Sequence, residues 1–373
     1  MPRIAILEKD KCINGKGCTF ICGGVCPVNR SGKECIVVAE DNKPVISEDI
    51  CIGCGVCVKK CPASCITVIN LMSERHSTPL HQFGENTFRL YGLPSPKKGA
   101  VVGLLGRNGI GKSTILNILS GAITPNLGNF SEDADYAKVL EFFKGREEQA
   151  FFSELSKGNL KLSYKPQNVD VIPEKFKGTV EGLLSNVDSG EKLQEISKQL
   201  EISSVLSHKI SNVSGGELQR IAIAASMLKD AEVYFFDEPS SYLDVKQRLN
   251  VARMIRELAS SGKQVLVVEH DLAVLDYLSD YIYVIYGTPG AYGMVGNPKS
   301  TLNGINEFLN GFFKDENVRF RGKELHFNIR AAAKDAVASV VAKYPALQKS
   351  LGDFSLEAEG GELRKGEVIG LVG

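Results

Sequence analysis

The run VVGLLGRNGIGKSTILNILS, residues 101–120, constrains the fold of this 373-residue chain more than any other stretch. It opens on five apolar residues, 101–105, which predict a buried strand. Gly106-Arg-Asn108-Gly109-Ile-Gly111-Lys112-Ser113 then fits the pattern G-x-x-x-x-G-K-[ST], and Ile115, Leu116, Ile118 and Leu119 give the following segment a helical apolar face. Glycines let successive backbone N–H groups, from Gly106 through Asn108 to Thr114, converge on phosphate oxygens, and the helix N-terminus adds the positive end of its dipole. Lys112 can reach the β- and γ-phosphates, and the Ser113 hydroxyl can ligate Mg²⁺. A strand, this loop and a helix in that order predict a nucleoside-triphosphate site on an α/β sheet.

The length leaves room for two or three domains. Forty-four basic residues balance forty-four acidic ones, so contact with RNA must come from local patches rather than from net charge. No run of 18 apolar residues is present, and residues 1–10 lack a signal-peptide core, which predicts a cytoplasmic protein without a membrane span. All ten cysteines precede residue 66. In a reducing compartment such a cluster binds metal more readily than it forms disulfides.

The cysteine spacing is specific. Cys51, Cys54, Cys57 and Cys61-Pro62 form C-x₂-C-x₂-C-x₃-C-P, the ferredoxin spacing for a 4Fe–4S cluster. Cys12, Cys18, Cys22 and Cys26-Pro27 form a looser upstream run, also ending in Cys-Pro. In two-cluster ferredoxins the fourth cysteine of each run ligates the other cluster. That rule assigns one cluster to Cys51, Cys54, Cys57 and Cys26, and the second to Cys12, Cys18, Cys22 and Cys61. Paired zinc sites space their C-x₂-C units farther apart and fit less well. Cys35 and Cys65 fall outside both runs and read as small buried residues.

Past the phosphate loop, three more strand ends carry polar residues. A short strand leads into Gln167, the run VYFFD leads into Asp237-Glu238-Pro239, and VLVVE leads into His270. Between them, Val213-Ser214-Gly215-Gly216-Glu217 opens a helix. Strand carboxyl ends are where open α/β sheets bind ligands.

The order of phosphate loop, Gln167, SGGEL, FFDEP, SSYLD and EHD resembles an ATP-binding-cassette ATPase, although Val213 and Glu217 depart from the commoner signature LSGGQ. Joined to a two-cluster ferredoxin module, it resembles one subfamily closely: the ribosome-recycling ATPases of subfamily E, the RNase L inhibitor family. The resemblance implies an α/β cassette ATPase domain of the P-loop NTPase class, preceded by a small α+β two-cluster ferredoxin-like domain. It implies that Gln167, Glu238 and His270 are catalytic and that Ser113, Gln167 and Asp237 serve Mg²⁺. Ser214 and Gly216 would address ATP held by an opposing cassette. It implies partners as well: the small ribosomal subunit with its rRNA and protein, a release-factor-like protein, and initiation factors. The implied activity is ribosome splitting after termination or stalling, linked also to initiation. An ATP-coupled iron–sulfur electron carrier is the alternative, and a transporter subunit gains nothing from a ferredoxin module.

The expected domains are a cluster module at 1–75, a first cassette at 76–295 with a helical insertion near 130–160, a connector at 296–320 and the start of a second cassette at 321–373. Phe83 and Phe88 stand where a ring stacks on adenine or fills a strand core position. The insertion predicts two short helices broken at Gly145, carrying Phe142, Phe143, Phe151 and Phe152 either as docking residues or for a partner. Residues 365–373 repeat the character of 98–106, which predicts tandem cassettes with the second needed in cis and the sequence stopping at the second phosphate loop.

Overall fold

The computed structural model describes all residues except 1–2, 8–10, 40–41, 48–49, 72–77, 85–86, 323, 326–338, 352–353, 367–368 and 370–373. It divides into two compact units, residues 1–325 and 326–373.

The larger unit is built on a nine-stranded sheet. Its centre is five parallel strands in the spatial order Tyr281–Thr288, Val101–Gly106, Gln264–Val268, Val233–Asp237, Leu162–Lys165. Val101–Gly106 and Val233–Asp237 are buried at every position. Strands covered on both faces must be apolar throughout, which is why their sequences show runs rather than alternation. Tyr292–Val295 pairs antiparallel with Tyr281–Thr288 and carries the sheet outward through Arg89–Tyr91 to His81–Gln82. One face packs on the helices Gly215–Met227 and Val245–Ser260, the other on Lys112–Leu119.

The insertion folds as the helices Tyr136–Phe142 and Glu147–Ser156, with Gly145 at φ 77° between them. Phe143 and Phe152 are buried and stack at 5.2 Å, with Phe142 and Phe151 packed edge-on beside them. All four phenylalanines therefore dock the insertion onto the sheet's helix layer.

The cysteine module repeats one pattern twice. Helices Ile21–Val25 and Val56–Lys60 pack together, each begins after a left-handed residue (Phe20 and Gly55), and each ends at a Cys-Pro. Arg3–Leu7 pairs antiparallel with Ile66–Leu71. Val318–Arg319 extends that sheet in parallel beside Ile66–Leu71, followed by Phe312–Phe313. Residues 296–320 are thus built structure: the helix Thr301–Asn310 lies on the cassette, and the strands after it belong to the cysteine module's sheet. Arg321 donates to the carbonyls of Phe308 and Leu309 and lies over the Phe308 ring, capping that helix.

In the smaller unit Val340–Tyr344 pairs with Gly361–Arg364, and Leu347–Leu351 with Phe354–Ala358, all antiparallel. Most of the repeated strand expected at 365–373 lies outside the described residues.

Truncating Phe152, which is fully buried in the stacked pair, is expected to cost about 3–5 kcal/mol. Denaturant unfolding of the Phe152→Ala variant checks this.

Candidate nucleotide and cluster sites

Four of the parallel strands end on one edge of the sheet, and the polar residues that follow them close a cleft of about 470 Å³. The phosphate loop forms its floor. Gly109 and Gly111 have φ of 74° and 101°, values that favour glycine. A Cβ on Gly111 would also lie 2.6 Å from the Phe88 ring, so this glycine permits both the turn and the close approach. The Lys112 ammonium is held at the loop's centre by the carbonyls of Gly106 and Arg107, both at 2.9 Å. Burial lowers its pKa, against the pull of Glu238 and Asp237.

Asn108, Ser113 and Thr114 line the cleft from the loop, and Gln167, Asp237 and Glu238 from the neighbouring strand ends. The Asp237 carboxylate accepts from Ser113 Oγ at 3.3 Å and Tyr164 Oη at 3.4 Å. Burial raises its pKa, and the Ser113 hydrogen bond works against that. Glu238 is gripped by three side chains: Gln167 Nε2 at 2.8 Å, Ser241 Oγ at 3.2 Å and His270 Nε2 at 3.1 Å. Phe83 and Phe88 both line the cleft, and both lie just outside strands, beyond His81–Gln82 and before Arg89–Tyr91. Phe83 is half-exposed, whereas Phe88 is packed against the loop.

Sequence reasoning missed the groups that hold the acidic pair. Glu238 sits at φ 48°, a left-handed conformation that costs a non-glycine residue on the order of 1–3 kcal/mol. Its amide donates to Val268 O, while its carbonyl accepts from Gln219 Nε2 at 2.8 Å and Lys165 Nζ at 3.3 Å. Lys165 is fully buried, and burial pushes its pKa down to about 8 despite Asp237, Glu269 and Glu238 nearby. In sequence Lys165 is one polar residue closing the short strand Leu162–Lys165, and nothing local marks it as buried.

Ser214 and Gly216 do not line this cleft. Ser214 caps the helix Gly215–Met227 in a reciprocal capping box: Glu217 accepts from Ser214 N and Oγ, and Ser214 Oγ accepts from Glu217 N. Glu217 thus serves the helix start locally.

The cysteines divide into two groups. Cys12, Cys18, Cys22 and Cys61 line one cavity, and Cys26, Cys51, Cys54 and Cys57 line another. None forms a disulfide. Cys35 and Cys65 are buried, each on the wall of one of these cavities. Ala5 N donates to Cys51 Sγ at 3.3 Å. Burial pushes the Cys57 thiol up to about 11 and raises Cys22. Among the described residues no three Cys, His, Asp or Glu gather around a single ion. Four sulfurs spread around a cavity suit the corners of a cubane better than one tetrahedral ion.

The fold and these sites define a class: an ATP-binding cassette preceded by a ferredoxin-like iron–sulfur domain. The ABC transporter family matches residues 95–241, and the 4Fe-4S binding domain family residues 44–67. Over its whole length the chain is 47% identical to an uncharacterized ABC transporter ATP-binding protein of Methanocaldococcus jannaschii, covering 61% of that protein. It is 46% identical to translation initiation factor RLI1 of Saccharomyces cerevisiae, again over the full chain and covering 62% of the relative. A ribosome-bound archaeal Pelota and ABCE1 structure matches all of this chain and 62% of its own, with TM-score 0.76 and 51% identity. The chain is thus similar over its whole length to RLI1 and other E-family ATP-binding-cassette proteins, and spans about three fifths of the length of these relatives.

Replacing Ser214 by alanine is expected to cost about 1 kcal/mol, the value of a lost N-cap. Glu217 lies below the ordinary glutamate range because hydrogen bonds from Ser214 outweigh the upward push of burial. Its contribution is therefore present above the unfolded carboxylate pKa and is lost as pH falls through the lower folded value. The gap between wild type and Ser214→Ala should narrow under acid, as read by denaturant midpoints at pH 7 and below 4, leaving the part due to the bond from Glu217 N to Ser214 Oγ.

Proposed function

We propose that this chain is the ATP-hydrolysing, iron–sulfur part of a cytoplasmic machine that splits ribosomes into subunits after termination or stalling. The observation that carries the ATPase reading is that Glu238, held by His270 Nε2 at 3.1 Å, shares the cleft with Lys112 and Ser113. The ribosomal reading rests on the family.

Lys112 and the backbone N–H groups of the loop bind the β- and γ-phosphates. Ser113, Asp237 and Gln167 hold Mg²⁺, which when bound neutralises charge developing on the phosphates. Phe83 or Phe88 stacks on the adenine. Glu238 orients the attacking water and accepts its proton, with Gln167 and His270 fixing the carboxylate and His270 facing the γ-phosphate. Ser214 and Gly216, which do not line their own cleft, address ATP held by a second cassette acting in cis, so that closure completes both sites. Residues 321–373 begin that second cassette.

Two 4Fe–4S clusters sit in the cysteine cavities, where they staple a module too small to rely on its own core. That each set of four lines one cavity supports this assignment. The shared sheet supports a mechanical role. Val318 pairs with Asn70, and Asn317 Nδ2 donates to Val68 O at 3.1 Å, so chain leaving the cassette is bonded to the cluster module. Closure can then move that module against the small subunit's rRNA and protein, with a release-factor-like protein bound. Initiation factors are further partners of the released subunit. Among the described residues no helix is long and apolar enough to cross a membrane.

Lys112→Ala is expected to weaken ATP binding roughly 10–100-fold, the value of one charge-assisted contact of about 1.5–3 kcal/mol. Glu238→Gln should bind ATP normally and slow hydrolysis by roughly 10²–10⁴-fold. Equal loss of binding in both would remove Glu238 from the chemistry. Subunit separation on sucrose gradients, with archaeal or eukaryotic ribosomes and the chain joined to a second cassette, tests the ribosomal reading.

Anaerobically purified chain should carry about eight irons, two clusters of four. Cys54→Ser should lose about half of them. Stoichiometric zinc without iron would overturn the cluster assignment.

A further inference from the structure

Each cysteine cavity has five cysteines on its wall, one more than a cluster needs. The fifth is Cys35 in one and Cys65 in the other. Cys65 is placed the more tellingly. Pro62, Ala63 and Ser64 separate it from Cys61, and Ser64 takes a left-handed φ of 47° while its amide donates to Cys61 O at 3.2 Å. This tight turn brings the Cys65 sulfur back to 3.3 Å from the Cys61 sulfur.

Cys65 is 2% exposed and shares the cavity with Cys12, Cys18, Cys22 and Cys61. The rest of that wall is mostly apolar, with Ile13, Phe20, Pro44 and Ile66 among its members. Packing alone would be served by alanine or valine. A thiol here is a soft donor, of the kind iron–sulfur clusters take, one sulfur contact away from an assigned ligand.

We infer that Cys65 is a reserve ligand of the cluster held by Cys12, Cys18, Cys22 and Cys61, able to take the iron corner of Cys61 when that sulfur is lost. The inference rests on the two-cluster reading above. In the exchange the Cys65 thiol gives its proton to solvent and its thiolate forms the iron–sulfur bond that Cys61 would have made. Ligand count and cluster charge are unchanged, and no electron moves. The shift needed is small, because the two sulfurs are already in contact and the turn at Ser64 lies between their backbones.

The test is iron and acid-labile sulfide per chain, with visible absorbance, on the anaerobically purified full chain. Wild type, Cys65→Ala and Cys61→Ala are each expected to hold about eight irons, and Cys61→Ala/Cys65→Ala about four. About four irons in Cys61→Ala beside eight in wild type would overturn the inference and leave the two-cluster reading standing. Loss of iron in Cys65→Ala alone would also overturn it, since Cys65 would then be obligatory. Fewer than eight in wild type would sink the two-cluster reading, and this inference with it. Should Cys61→Ala not fold, Cys61→Val against Cys61→Val/Cys65→Ala carries the same comparison, since valine is close to cysteine in size and cannot ligate iron.

Discussion

The parallel register of the central strands is the constraint on which the nucleotide cleft depends. Val268 pairs beside both Leu104 and Asp237, and Phe236 beside Lys165, so four strands finish within a residue or two of one another. Only because they finish together do the phosphate loop, Gln167 and the acidic pair meet across one cleft, with His270 bonded to Glu238. A slip of one residue in any pairing would turn that strand's side chains to the opposite face and withdraw its polar end. The buried apolar runs fix the register, since every residue of Val101–Gly106 and Val233–Asp237 is packed.

The edge so formed concentrates charge where water is scarce. Asp237, Glu269 and Lys165 are buried, and Glu238 stands beside them in a strained backbone conformation. Such a group is tolerable because each member is bonded. Lys165 serves the carbonyls of Asp237 and Glu238, Glu269 accepts from Ser240 N at 2.9 Å, and Gln219 completes the Glu238 carbonyl. Removing one partner from such a network leaves a buried group unsatisfied, which costs more than the bond contributes. The geometry of Glu238 is therefore set by residues from three other elements and not by its own strand alone.

The cysteine module and the cassette are joined by backbone pairing rather than by a loose tether. Thr301–Asn310 packs on the cassette, its C-terminus is capped by Arg321, and the strands that follow complete the module's sheet. A segment whose composition of Gly, Asn and Pro reads as a connector thus becomes a structural bracket. Local composition cannot register this, since the partner strand Ile66–Leu71 lies more than 240 residues earlier in the chain, as the Asn317–Val68 hydrogen bond shows.

What the sequence determined by itself was everything written in short-range pattern. The phosphate loop, the strand ends at Asp237 and His270, the capped helix after Ser214 and the two cysteine runs each lie within a dozen residues or so, where spacing alone dictates backbone shape. The two helices broken at Gly145 were legible for the same reason. What only the tertiary structure decided depends on which distant strands pair. It placed both Phe83 and Phe88 on the cleft, kept Ser214 off its lining, and put Lys165 and Gln219 behind Glu238. A buried lysine or glutamine looks like any other polar residue in sequence. Its role exists only once folding has removed water and left it the carbonyls it must serve.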